Sequence, residues 1–174
     1  MKLKEKVIID FEAFFTFGKF DFLKLGKTKE WILNNFPDPD GFDENPDIVQ
    51  YDIWLYGNIE LHFNKDKLFM IFSDYINKLD GGNSLKLKKW FLKDSELLKL
   101  SDVIDHLNEK HIDFSKKKNH IVKSSVMLKL QSGVELSFHL DQRYDEENEE
   151  EFLKRCLNTN HNEFNLSSFH LSEN

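Results

Sequence analysis

Two stretches of the chain echo each other 75 residues apart: Asn58-Ile59-Glu60-Leu61-His62-Phe63 and Gly133-Val134-Glu135-Leu136-Ser137-Phe138. Both alternate apolar and polar residues behind a glycine-containing turn. A period of two puts Ile59, Leu61 and Phe63 on one side of a pleated strand and Glu60 and His62 on the other. Each stretch therefore reads as a half-buried antiparallel strand. The echo implies a sheet built twice, which constrains the fold and says nothing about chemistry.

The segments around the echo extend this reading. Val7, Ile8, Phe11, Phe14 and Phe15 fall at helical spacing and predict a short amphipathic helix over 7–17, although Ile and Phe also suit a strand. Thr28 can cap a helix whose inward face is Trp31, Ile32 and Asn35/Phe36, with Pro37 as its stop. All three prolines lie within 37–46, a loop. Val49–Tyr56, Asn58–Asn64 and Lys67–Asp74 then read as a meander turning at Gly57 and at Asn64-Lys65-Asp66. Asp80-Gly81-Gly82-Asn83 has the composition of a hinge or linker.

Beyond it, Leu85, Leu87, Lys89 and Phe91 alternate as a fourth strand. Residues 101–111 read as a helix capped by Ser101. Val122–Gln131 and Val134–Leu140 form a hairpin closed by Ser132-Gly133. Glu146–Leu157 reads as a helix, with acids in its first turn and Lys154 and Arg155 near its end, both favourable to the helix dipole. The expectation is a single α+β domain over 1–157: an antiparallel sheet made of a meander plus a second hairpin, with helices packed on one face. It allows a two-half organisation about 80–83 and leaves 158–174 as a loosely held polar tail.

Composition excludes some functions. With 40% hydrophobic residues, 17 Phe and 3 Trp among 174 residues, the chain has ample material for a packed interior. A net charge of -7 argues against general nucleic-acid binding and leaves room for a basic protein partner. The single Cys156 permits no internal disulfide and fits a reducing compartment. Asp10 and Glu12 interrupt the apolar run after the basic start, and no window approaches a membrane span, so a cytoplasmic location is expected, with no membrane partner.

The chemistry-bearing residues form no recognisable catalytic set. His106 and His111 are five apart, roughly 140° around a helix, and cannot easily share an ion. His62 and His139 belong to the solvent face of their strands. The acids Asp38, Asp40, Asp43, Glu44 and Asp47 lack the glycine position and closing glutamate of a calcium loop. No nucleophile elbow or phosphate-binding glycine loop is present. Cys156, beside Phe152 and Leu153, reads as a buried inert thiol. Glu60 and Glu135 hold equivalent strand positions and could approach for acid–base work, but exposed strand glutamates are the ordinary case. No cofactor or metal is expected. The run Asp145, Glu146, Glu147, Asn148, Glu149, Glu150 and Glu151 is a solvated helix start or, with the 38–47 loop, one of two negative docking patches.

Leu25-Gly26-Lys27-Thr28 before a helix, then Trp54-Leu55-Tyr56-Gly57-Asn58-Ile59-Glu60-Leu61-His62-Phe63 and Lys67-Leu68-Phe69-Met70-Ile71, form a helix-then-meander unit. Outer-membrane assembly lipoproteins and β-lactamase inhibitory proteins use a similar unit, but this chain has no lipidation cysteine near its start. With Ser132-Gly133-Val134-Glu135-Leu136-Ser137-Phe138, the pattern over roughly 20–140 resembles immunity proteins of bacterial polymorphic-toxin and contact-dependent inhibition systems. That resemblance implies a non-enzymatic module that neutralises a cognate, basic toxin by occlusion. Its docking residues would be Asp38, Asp40, Asp43, Glu44, Asp47, Asp145, Glu146, Glu147, Glu149 and Glu150, with exposed Trp and Tyr as anchors. Two other classes stay open: a structural or adaptor module that self-associates as a homodimer through a sheet edge, and a small enzyme using carboxylates or histidine in a cleft.

Overall fold

The computed structural model describes residues 6–43, 51–94, 98–118, 125–143 and 145–173. Within them the order is β1 (Val7–Asp10), α1 (Phe11–Phe17), α2 (Lys29–Asn35), β2 (Gly41–Asp43), β3 (Tyr51–Tyr56), β4 (Ile59–Asn64) and β5 (Lys67–Ser73). There follow β6 (Leu85–Lys88), α3 (Leu100–Glu109), β7 (Phe114–Lys118), β8 (Ser125–Leu130), β9 (Glu135–His139), α4 (Glu149–Asn158) and β10 (Asn165–Ser172). The fold is α+β, with a large antiparallel sheet of eight strands in the order β2-β3-β4-β5-β10-β9-β8-β7.

The echo is realised as β4 and β9. Ile59, Leu61 and Phe63 from the first, and Val134, Leu136 and Phe138 around the second, lie buried on the core side, as their alternation requires. Val126, Leu128 and Leu130 of β8 and Leu68 and Ile71 of β5 complete that face. The buried residues of all four helices join the same apolar cluster: Phe11, Phe14 and Phe15 of α1, Ile32 of α2, Leu100, Val103 and Leu107 of α3, and Cys156 of α4.

The segment over 7–17 is divided rather than wholly helical. Val7, Ile8 and Ile9 are β-branched and stiff at χ1, and they pair in parallel with β6, Val7 opposite Leu85 and Asp10 opposite Lys88, as a separate two-stranded sheet. Asp10 then switches the chain to helix. Its Oδ1 accepts from the backbone N–H of Glu12 at 3.1 Å and of Ala13 at 3.3 Å, which caps α1. Gly18 ends that helix in the left-handed region at φ 67°.

The largest departure from expectation is the C-terminal segment. Residues 165–172 are not a loose tail: they form β10, which lies between β5 and β9 and pairs antiparallel with both. A register shift between Leu166 and Ser168 explains why alternation hides this strand. The extra residue at the bulge places the buried Leu166 and Phe169 three apart instead of two. Phe169 then packs on α1, its ring centroid 5.4 Å from Phe11, 5.7 Å from Phe14 and 5.8 Å from Phe15, the range of favourable edge-to-face and tilted ring pairs.

Smaller differences follow local chemistry. Thr28 caps α2 as expected, its Oγ1 accepting from the Trp31 N–H at 3.1 Å. Ser101 does not cap α3. Lys99 occupies that position, its N–H donating to Asp102 Oδ2 at 3.1 Å, while Ser101 lies within the first turn. Part of the proline loop, Gly41–Asp43, joins the sheet as edge strand β2. β7, with its lysine-rich sequence, was not foreseen and forms the opposite edge. The segment read as a linker, 80–83, is fastened at several points: Asp80 O accepts from Asn58 N–H at 3.1 Å, and Asp80 N–H donates to Asn58 Oδ1 at 2.7 Å.

Replacing Phe169 by Ala should therefore cost about 3–5 kcal/mol. Phe17→Ala, which alters a side chain that is 64% exposed, should cost under about 0.5 kcal/mol. Urea denaturation followed by circular dichroism measures both. Equal midpoints for the two variants would contradict a load at the centre of the sheet.

Candidate partner-binding surface

The first acidic segment is partly consumed by its own fold. The Asp40 carboxylate accepts from the Gly57 N–H at 2.7 Å through Oδ2 and from the Asn83 N–H at 3.0 Å through Oδ1. It thereby ties the α2–β2 loop to the β3–β4 turn and to the 80–83 segment. Gly57 and Gly82 both have positive φ, at 61° and 63°, and face each other across this clasp. A Cβ on Gly82 would collide with Asp40 Oδ2, so glycine is required there. Ser84 Oγ donates to Asp38 O at 2.6 Å and Tyr56 Oη donates to Pro37 O at 2.8 Å. Burial, with the carboxylates of Asp38 and Asp40 beside it, pushes the Tyr56 hydroxyl well above the ordinary phenol range. Asp38 is exposed, Asp43 closes β2, and Glu44 and Asp47 lie outside the described residues.

The second acidic segment is divided in the same way. Glu147 receives two bonds from the Arg155 guanidinium, at 2.5 Å from Nη2 and 2.9 Å from Nε, and a third from the Arg143 N–H at 2.9 Å. The bond to Arg155 is the main cause that lowers the Glu147 carboxyl to about 2. Asn148 and Glu151 cap α4 reciprocally, Asn148 Oδ1 accepting at 3.0 Å and Glu151 Oε2 at 2.9 Å. Asp145, Glu146, Glu149 and Glu150 face solvent, with Glu146 Oε2 3.6 Å from Arg143 Nη1.

Strand direction places the two segments at the same end of the sheet, five strand spacings apart, or about 24 Å. β3 and β5 end, and β4 and β10 begin, at one edge of the sheet, where β9 also ends. Asp40 enters β2 there, its N–H donating to Leu55 O at 2.7 Å, and Asp74, Asp141 and the 145–150 segment follow β5 and β9 out of it. The other end holds the Asn64–Lys67 turn with Lys27 and Lys29 against it: Lys29 N–H donates to Asp66 O at 2.9 Å, and Leu68 N–H to Lys27 O at 2.9 Å. Asp40, Asp74 and Asp141 thus stand at one end of the strands, with Lys78 among them, and Lys27, Lys29 and Lys67 stand at the other, with Asp52 and Asp66 beside them.

The open sheet face carries the residues weighed for catalysis. Glu60 and His62 pair at 2.7 Å, and His62 is only 14% exposed because Phe69 and Phe72 flank its ring. Glu135 accepts from Lys129 Nζ at 2.9 Å and lies 3.6 Å from His170 Nε2. Burial holds His170 below its ordinary value, outweighing the Glu135 charge. The register runs Glu60, Phe72, His170, Glu135 across four strands. The two glutamates are therefore three strand spacings apart, about 14 Å, and cannot share a proton. His106 stacks on Phe91 at 5.2 Å. Among the described residues no group of His, Cys, Asp or Glu is placed to hold a metal. Cys156 is buried, and burial raises its thiol. No helix among them is long and apolar enough to cross a membrane.

The aromatic anchors differ from those expected. Trp54 is buried against Phe63, and Trp31 and Trp90 are half-buried in the core margin. Among the described residues the exposed aromatic rings are Phe17, Phe22, Phe42 and Tyr75; of these Phe42 lies beside Trp54 and Tyr75 stands at the acidic end. Sequence offers no sign that singles these out, since exposure follows from where the sheet stops being covered.

Two outcomes follow. Asp40→Ala should cost about 1–3 kcal/mol in urea denaturation, and Gly82→Ala at least as much. The double variant should cost less than the sum, because removing the carboxylate relieves the clash; strict additivity would refute the clasp. For Glu147 the folded-state value lies below the unfolded one, so its stabilisation is complete above about pH 4.5 and fades as pH falls toward about 2. The gap in urea midpoint between wild type and Glu147→Gln should accordingly close between pH 5 and pH 2 and be constant above that window.

In comparison with known proteins, no family model matches this chain, no curated protein matches it, and no solved structure matches it.

Proposed function

We propose that this chain is a non-enzymatic protein-binding module, most concretely an immunity protein that neutralises a basic bacterial toxin by covering its working surface. The observation that carries the reading is that Asp38 and Asp40, Asp74, and the segment from Asp141, far apart in sequence, line one end of the sheet. A concentrated negative end on a protein of net charge -7 steers a basic partner toward one face and sets its orientation. Phe42 and Tyr75 offer rigid aromatic area for affinity, in an interface of about 800 Å² per partner. The bonds of Glu147 to Arg155 and of Asp40 to Gly57 and Asn83 commit these two to the fold, and the docking set is the exposed Asp38, Asp145, Glu146, Glu149 and Glu150.

Self-association through a sheet edge is the weaker reading. The β7 edge presents exposed Lys116 and Lys117, which oppose strand addition, and β2 is three residues long.

Co-expression with the product of the adjacent gene, followed by pull-down, identifies the partner. With it in hand, reversing Asp38, Asp145, Glu149 and Glu150 to Lys should slow association about tenfold or more at low salt, with less effect at high salt. The thermal midpoint should fall by only a few degrees, the effect of losing Glu149 and Glu150 from the first turn of α4, and circular dichroism should show the variant folded. An unchanged association rate in the folded variant would rule out steering by this end.

A further inference from the structure

At the acidic end a hollow of about 650 Å³ opens between the turn that follows β5 and the residues that follow β9. Its origin is the register shift in β10. The bulge places two small residues, Ser167 and Ser168, side by side on the central strand, while larger side chains stand on both flanks. One wall is Asp74 and Tyr75, with Lys78 at the rim. The other is His139 and Asp141, and Phe72 contributes to the floor.

We infer that this hollow receives one arginine side chain presented by a protein partner, an assignment that rests on the partner-binding reading above. Two carboxylates, Asp74 and Asp141, stand in the lining against one ammonium, Lys78. The exposed Tyr75 ring offers a face for the planar guanidinium, which both stacks on aromatics and pairs with carboxylates. A volume within roughly 300–1,000 Å³ admits a whole side chain with some of its water.

The walls are fixed before any ligand arrives. The fully buried Ser73 donates through Oγ to Asn58 O at 2.8 Å and accepts from the Tyr75 N–H at 3.3 Å. Asn58 Nδ2 donates to Lys78 O at 2.7 Å, which holds the far side of the same turn. Opposite, Arg155 Nη2 donates to Asp141 O at 2.7 Å, and His139 Nε2 lies 3.4 Å from Asp141 Oδ1. Ser167 Oγ donates to Ser137 O at 3.0 Å and secures the bulge. Such preorganisation lowers the ordering cost of binding.

The test needs no partner and so separates this inference from the broader one. Amide proton–nitrogen spectra of the full chain are recorded while N-acetyl-arginine amide is added, with N-acetyl-citrulline amide and glucose as neutral probes. Shifts should be confined to Tyr75, Asp141, Ser168 and their neighbours, with half-saturation on the order of 10 mM, as contacts of one side chain allow. Citrulline should bind at least about fivefold more weakly, and Asp141→Asn and Tyr75→Ala should each weaken arginine by a similar factor. Equal response to citrulline, preference for glucose, or silent amides around the hollow would overturn the assignment. The charge-reversal kinetics would then still stand or fall on their own.

Discussion

The packing of Phe169 under α1 holds the two ends of the chain together and completes the sheet. The strand that bears it, β10, is last in sequence and central in space. Without it the β2–β5 meander and the β7–β9 unit would each expose an unpaired inner edge. The rings of Phe11, Phe14 and Phe15 meet Phe169 across more than 150 residues of chain, so this contact is among the most non-local in the molecule. Loop-closure entropy for such a contact is offset only once both halves are present, which makes the eight-stranded sheet a cooperative unit.

The same strand order organises the electrostatics. Antiparallel pairing sends alternate connections to opposite ends, and here the connections that carry Asp40, Asp74 and Asp141 fall on one side. Gathering carboxylates in this way costs self-repulsion, and the fold offsets part of it locally. Asp40 faces two backbone N–H donors, and Glu147 faces Arg155 and the Arg143 N–H. These two acids thus serve stability, while Asp145, Glu149 and Glu150 beside them face solvent. The serine bulge in β10 adds a depression at that same end. One departure from regular pairing therefore hides the strand from its own periodicity and shapes the surface.

Legibility varied with how local the cause is. Thr28 caps its helix with its own side chain, and the meander and the 125–139 hairpin turn where their glycines and polar pairs demand, whereas the helix read from Glu146 begins at Glu149 because Asn148 caps it. The second half of the helix predicted over 7–17 was legible, but its first half was not: Val7–Ile9 suits either state, and pairing with Leu85–Leu87 decided it. Of the candidate acids, composition marked all ten equally. Only the tertiary structure separated Asp40 and Glu147, whose carboxylates bond within the fold, from Asp145, Glu149 and Glu150. Tyr75 and Phe42 carried no sequence mark at all.

What the amino-acid order determined by itself was the antiparallel, half-buried character of the strands and the presence of two acidic segments, because side-chain alternation and charge are properties of short windows. The tertiary structure alone decided that residues 165–172 join the two halves and that the acids share one end with a preformed hollow. Those outcomes depend on pairing and burial between distant segments, and no short window contains their energies.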